Sequence, residues 1–226
     1  MTNLINIEKT DEHCETCTCN QPLVDDLFAG LGGWSIGFHR EHFTCHGTDI
    51  IDVGYPYDLT VCDIRDYHPN YKPDVIVASP PCTEFSQLTI LSWKKGQRGP
   101  PEPEKGIELV KEAIRIIKEV EPKYWLIENV WGSMKHIVPI LGLPKVTAKP
   151  WVLWGNFPSC NFDKLPHITQ KSLGVHLGPK TTIGKGGNKI GLPEDFPFDP
   201  LRSWKRARIP TFVAERVAHV CYNALP

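Results

Sequence analysis

The segment Ser79-Pro80-Pro81-Cys82-Thr83-Glu84-Phe85-Ser86 follows directly on the apolar run Asp74–Ala78. A thiol on a loop stiffened by two prolines, at the carboxyl end of a buried strand, is held rigidly and faces the edge where ligands bind, which is what a nucleophile needs. Glu128 and Asn129 close a second apolar run, Tyr124–Val130, and bring a carboxyl and an amide to the same edge. Singly, each has a plain reading as an inert buried thiol or a turn closure. Their convergence favours a site.

A third element lies earlier. Phe28-Ala29-Gly30-Leu31-Gly32-Gly33 joins the short run Val24–Phe28 to an apolar-periodic segment, Trp34–Phe43. Glycines lack a Cβ, so such a turn lets backbone approach a ligand closely. Asp49 ends the next run, Phe43–Asp49, where an acid binds ribose hydroxyls, and Asp63-Ile64 ends Thr60–Ile64, where an adenine would lie. No Gly-x-x-x-x-Gly-Lys-Ser/Thr run is present to cradle a triphosphate, and Gly184–Lys189 follows no strand and reads as a loop.

The positioning elements follow from periodicity. Short buried strands alternate with helical stretches, of which Lys105–Val120 is the clearest, and this pattern predicts an α/β fold with a mostly parallel sheet and crossover helices. Beyond Val130 the signal is weaker: a strand over Val152–Phe157, irregular Pro- and Gly-rich chain over Pro158–Pro200, then a helix with Pro210 at its first position that runs to Leu225.

At this point the chain resembles the DNA cytosine-5 methyltransferases. Their Phe-x-Gly-x-Gly-Gly motif is matched by Phe28 to Gly33, Pro-Pro-Cys-x-x-Phe-Ser by Pro80 to Ser86, and Glu-Asn-Val by Glu128 to Val130, in the family's order. The resemblance covers Asp25 to Val130. It implies a Rossmann-like, S-adenosylmethionine-dependent methyltransferase fold with helices on both sheet faces. It implies a donor, leaving as S-adenosylhomocysteine, held by Phe28, Gly30, Leu31, Gly32, Gly33, Asp49, Ile50, Asp63, Ile64 and Pro80. Cys82 would attack C6 of a flipped cytosine, Glu128 would hydrogen-bond or protonate N3, and Asn129 would hold the loop geometry. Ser79, Pro81, Ser86, Arg98, Lys149, Lys185 and Lys189 would meet the DNA.

Two departures stand out. The family's Gln-x-Arg-x-Arg strand is replaced by Thr147-Ala148-Lys149-Pro150-Trp151, which leaves Lys149, Arg65 or Arg98 to take its place. The stretch available for target recognition is also short, which predicts a recognition site of only a few base pairs, or a context preference in place of strict specificity. The expected organisation is a polar tail over 1–21, a cofactor-binding α/β domain over 22–145, a reduced target-recognition region over 146–208, and a terminal helix over 209–226 packed back on the domain. The alternatives are a non-catalytic relative that binds nucleic acid or cofactor, or the same chemistry on RNA, on single strands or with an altered sulfonium donor.

Composition bounds these readings. With 226 residues, 25 Lys and Arg against 26 Asp and Glu, and 41% hydrophobic residues, the chain is long enough for a real core and carries no global field for an anionic partner. Phosphate must then be met by a local patch, which the basic residues of the Lys164–Arg208 segment would supply. No apolar stretch of membrane-spanning length occurs, and Met1–Thr18 lacks an apolar signal core, so a cytoplasmic monomer without membrane contact is expected. Cys14, Cys17 and Cys19 beside His13 suggest metal ligands, but no second pair follows at a fitting spacing. They read as part of a tail, with zinc or an iron–sulfur group as the alternative, and no metal is expected.

Overall fold

The computed structural model describes residues 21–148, 151–162 and 209–226. Lys149, Lys185, Lys189 and the cysteines at 14, 17 and 19 lie outside the described residues. The elements are β1 (Leu23–Leu27), α1 (Gly33–Arg40), β2 (Thr44–Asp49), β3 (Asp58–Val61), β4 (Val75–Ala78), α2 (Gln87–Lys94), α3 (Pro103–Val120), β5 (Tyr124–Val130), α4 (Met134–Leu141), β6 (Val146–Ala148), β7 (Trp151–Asn156) and α5 (Thr211–Ala224).

The strands form a single seven-stranded sheet in the order β3-β2-β1-β4-β5-β7-β6. β1 to β5 run parallel, whereas β7 is antiparallel to both β5 and β6. The expected α/β class with a mostly parallel sheet is the one observed. β4 is buried throughout, as a strand covered on both faces must be, and its unbroken Val-Ile-Val-Ala run reflects that. From β1 the chain winds outward through β2 and β3, then crosses to β4 and β5 on the other side. The order therefore reverses between β1 and β4, and the crevice outside their carboxyl ends is where doubly wound sheets bind ligands.

Helices cover both faces. On one face α1 and α5 enclose Val24, Trp34, Phe38, Phe43, Val75, Val77 and Leu126. A Cβ at Gly37 would stand 2.3 Å from the Ala214 Cβ, so the α1–α5 crossing is as close as it is because position 37 has no side chain. On the other face α3 packs Ala113, Ile116 and Ile117 on Leu27, Ile76, Ala78 and Ile127. Ile137 of α4, with Val110, Val152 and Trp154, extends this layer towards β7.

Several boundaries differ from the sequence expectations. β3 spans Asp58–Val61 rather than Thr60–Ile64, so Asp63 and Ile64 lie in the turn beyond it. Pro210 precedes α5 in an extended conformation instead of opening it. Two eight-residue helices, α2 and α4, were not read from the pattern at all. Among the described residues no helix is long and apolar enough to cross a membrane.

Candidate active site

The first wall of the crevice is the turn between β1 and α1. Gly30 and Gly32 take positive φ angles of 52° and 70°, and Phe28, at 62°, adopts the same left-handed region at a cost that glycine would not bear. The turn is tied to the neighbouring strand: Ala29 N donates to Thr48 O at 3.1 Å, and Gly30 N donates to Asp49 Oδ2 at 2.9 Å. Asp49 Oδ1 accepts from Ile51 N at 3.3 Å. Burial is the main cause that raises the Asp49 carboxyl above its ordinary value, opposed by these backbone donors. Beneath the turn, Ser35 fixes the first turn of α1 to β1, its N–H and hydroxyl donating to Asp26 Oδ2 at 3.3 and 2.7 Å. Burial pushes Asp26 up to about 8.

The second wall is the loop after β4. Pro80 is buried, Pro81 exposed and Cys82 half-buried. Phe85 N and Ser86 N both donate to Cys82 O at 3.0 Å, which closes a tight turn around the cysteine. The Phe85 ring fills the space that a side chain at Gly106 would take, and a Cβ at Gly132 would lie 2.3 Å from Phe85 O. Ser86 caps α2, accepting from Thr89 N at 3.2 Å. Arg98 Nη2 donates to both oxygens of Glu84, at 3.0 and 3.2 Å, and Glu84 also accepts from Glu102 N at 2.7 Å. Arg98, expected at the DNA, thus closes the loop that carries the cysteine.

The third wall is the end of β5. Ala78 is opposite Ile127 in the β4–β5 register, which sets Ser79 and Pro80 level with Glu128 and Asn129. Asn129 Nδ2 donates to Pro80 O at 3.0 Å, and Asn129 Oδ1 accepts from Val130 N at 2.9 Å. The amide therefore joins the nucleophile loop to β5. Trp34 Nε1 donates to Ser79 Oγ at 2.9 Å, which ties the start of α1 to this edge. Glu128 is only 7% exposed, and burial pushes its carboxyl up to about 7, with the neighbouring Ser79 side chain opposing the rise. Burial first, then the charge of Glu128, pushes the Cys82 thiol up to about 11.

The structure thus gathers Ser79, Pro80, Cys82, Glu128 and Asn129 at one edge, facing the glycine turn and Asp49. Asp63 lies in the turn beyond β3 and accepts from Arg65 N at 3.0 Å and Arg65 Nη1 at 2.8 Å, one donor on each oxygen, which holds the Arg65 side chain at this turn. The Ile64 side chain is buried among Leu27, Ala78 and Ile116, so it belongs to the core and leaves only backbone to face a ligand. Ile50, 68% exposed at the end of β2, and Val61, 55% exposed at the end of β3, supply apolar surface there. Val61, Trp34, Asp26 and the Glu84–Arg98 pair were not singled out from sequence. An acid inside an apolar strand was the available signal for Asp26, since such a local inconsistency marks a buried polar network. Among the described residues no cluster of His, Cys, Asp or Glu could hold a metal ion.

Comparison with known proteins bears on this arrangement. The chain is 33% identical over 135 residues to the type II methyltransferase M1.HphI of Haemophilus parahaemolyticus, a match covering 52% of this chain and 35% of that protein. It is 32% identical over 124 residues to the type II methyltransferase M.FnuDI of Fusobacterium nucleatum, covering 48% and 32%. A longer match, 29% identical over 179 residues, links it to M.NgoPII of Neisseria gonorrhoeae, covering 70% and 46%. The chain thus spans about a third to a half of the length of these relatives. The family model for C-5 cytosine-specific DNA methylases matches residues 23–137, the stretch that holds all three walls of the crevice. The chain belongs to the C-5 cytosine-specific DNA methylase family.

Proposed function

We propose that this protein transfers a methyl group from S-adenosylmethionine to C5 of a cytosine in DNA, with Cys82 as the nucleophile. The observation that carries the reading is the joining of Cys82 and a buried, neutralisable Glu128 at the sheet edge beside the glycine turn. The residues around that turn fit the donor. Asp49 uses one acceptor site on each oxygen for backbone N–H groups, which leaves lone pairs for ribose hydroxyls, and Ile50 with Val61 offers apolar surface to a flat ring. When bound, the sulfonium group supplies an electrophilic methyl.

The chain's own residues do the rest. C5 of cytosine is a weak nucleophile until a bond forms between Cys82 Sγ and C6, which pushes electron density onto C5. Negative charge then gathers on the ring, and a carboxylic acid at N3 relieves it. Glu128, with a carboxyl near 7, keeps a large neutral fraction at physiological pH and can donate there. The two groups are coupled: a neutral Glu128 no longer opposes ionisation of the Cys82 thiol, so the protonation state that serves N3 also favours the thiolate. After methylation a base takes the C5 proton, the Sγ–C6 bond breaks with its electron pair on sulfur to restore the Cys82 thiolate, and the N3 proton returns to Glu128. Both ring carbons lie within the stack of a duplex, so the target base must swing out to reach Cys82.

The test is trapping. With duplex DNA carrying 5-fluorocytosine, C5 holds no proton to lose, so wild-type protein with S-adenosylmethionine should form an adduct that survives denaturation. Cys82→Ala should form none while binding S-adenosylhomocysteine with nearly unchanged affinity. A preparation that methylates DNA without forming the adduct would refute C6 attack, and undiminished methylation by Cys82→Ala would refute the nucleophile.

A further inference from the structure

Beyond β3 the chain turns over residues 63–67, where the purine ring of the donor is expected, and the turn's own bonds are few. Asp66 N donates to Asp63 O at 2.9 Å, and Tyr67 N donates to Ile64 O at 3.3 Å. Two such i→i+3 bonds make a weak frame, because the carbonyls that end a short turn find no further donors within it. The missing donors come from α3. Arg115 Nη2 donates to Ile64 O at 3.0 Å and to Tyr67 O at 3.1 Å, residues 51 and 48 positions earlier in the chain. The rest of the guanidinium is held on its own helix: Nε donates to Glu112 Oε2 at 2.7 Å, and Nη1 donates to Glu119 Oε1 and Oε2 at 3.0 and 2.9 Å. Residues three before and four after share one helix face, so α3 itself sets the plane of the Arg115 fork and aims its remaining donors at the turn.

We infer that Arg115 is a positioning residue for the donor site: by holding the carbonyls of Ile64 and Tyr67 it fixes the peptides of the 63–67 turn in the arrangement that meets the edge of the purine ring. Ile64 N has no partner among the described residues. Asp63, with one donor from Arg65 on each oxygen, keeps a lone pair on both. An N–H beside a carboxylate matches a ring edge that carries an acceptor beside an amino donor, as adenine does, and mismatches hypoxanthine, in which the two are reversed. Without Arg115, Ile64 O and Tyr67 O lose their donors, and a turn closed by a 3.3 Å bond is free to rotate about residue 64 and carry its N–H out of place. The inference deepens the cytosine-5 reading and rests on it for the identity of the donor.

The experiment is calorimetry with two ligands that differ only at the purine edge: S-adenosylhomocysteine, and S-inosylhomocysteine, in which a 6-oxo group and an N1–H replace the amino group and the bare N1. Wild type should prefer the adenosyl ligand by about tenfold or more, because the inosyl edge leaves the turn's groups unpaired. Arg115→Met keeps the apolar stem and removes every donor. It should weaken S-adenosylhomocysteine binding about tenfold and change S-inosylhomocysteine binding, which never used those groups, by less than about threefold. Arg115→Lys, whose ammonium lacks the planar fork, should lose part of the preference and replaces Met if that variant fails to fold. A merely structural role would lower the urea midpoint, or weaken both ligands together, without changing their ratio. An unchanged ratio in a folded variant would overturn the inference, as would a wild type that binds the two ligands equally. A wild type that binds no S-adenosylhomocysteine would instead overturn the donor reading, and the inference with it.

Discussion

Replacing Glu128 by Gln should stabilise the protein, and by an amount that depends on pH. The Glu128 carboxyl is pushed from its ordinary 4.5 to about 7, chiefly by burial. A group whose folded value is raised carries no penalty below its unfolded value, where it is neutral in both states, and a growing penalty as pH rises to the folded value. At 1.36 kcal/mol per unit, the cost of ionising Glu128 in the folded protein reaches about 3 kcal/mol above pH 8. Gln mimics the neutral acid and has no charge to bury. Below pH 4.5 the variant and the wild type should therefore be about equally stable, and at pH 8.5 the variant should be more stable by about 3 kcal/mol. For a chain of this size that is roughly 6–12 °C in Tm. Urea unfolding at pH 4.5 and 8.5, with m-values checked for constancy, measures the difference. Equal stability differences at the two pH values would show that Glu128 titrates normally in the folded state. The mechanistic role assigned to its proton would then fall with it.

Three more outcomes can be checked. Gly37→Ala puts a methyl 2.3 Å from the Ala214 Cβ and should cost about 1–3 kcal/mol by overpacking, read as a lowered urea midpoint; an unchanged midpoint would mean that α1 and α5 part without loss. Gly132→Ala drives a Cβ to 2.3 Å from Phe85 O, directly behind the turn that holds Cys82, and should slow 5-fluorocytosine trapping more than tenfold with S-adenosylhomocysteine affinity nearly unchanged; an equal loss in both would point to general unfolding. Asp49→Ala removes the acceptor for Gly30 N and should weaken S-adenosylhomocysteine binding by about 1–3 kcal/mol in calorimetry, and unchanged affinity would place the donor elsewhere.

The sequence made some features legible and hid others for physical reasons. β5 matches its expected bounds, Tyr124–Val130, because its apolar run Tyr124–Ile127 is set off sharply from Pro122-Lys123 before it and from the polar pair Glu128-Asn129 that follows. β3, near the sheet edge, is half-exposed, and with no such contrast its expected position slipped towards Asp63. α2 spans only two turns and begins at a serine cap inside a motif that draws attention to its cysteine instead. α4 contains Pro139, which reads as a helix breaker although the short helix accommodates it. Cys82, Glu128 and Asn129 could be named from their places at strand ends, since topology alone brings such ends together. The Trp34–Ser79 bond joins residues 45 apart and depends on side-chain direction, and no local pattern encodes that. The same holds for Arg98, whose bidentate partner Glu84 lies 14 residues earlier and was read only as part of the motif.

The pairing of α1 with α5 also sets the order in which the molecule can be built. Arg40 of α1 is salt-bridged at 2.7 Å to Glu215 of α5, a residue 175 positions further along the chain. During synthesis Trp34, Phe38 and the rest of that apolar face wait uncovered until α5 emerges, whereas α3 can close over the opposite face much earlier. Contacts of such long sequence separation require the full loop-closure entropy before they return any stabilisation, so this half of the core is a late event in folding. The glycine turn is mounted on the first residue of α1 and inherits that delay. A nascent chain thus exposes the sticky surface of α1 until α5 has been made, and the demand for chaperone cover is concentrated there.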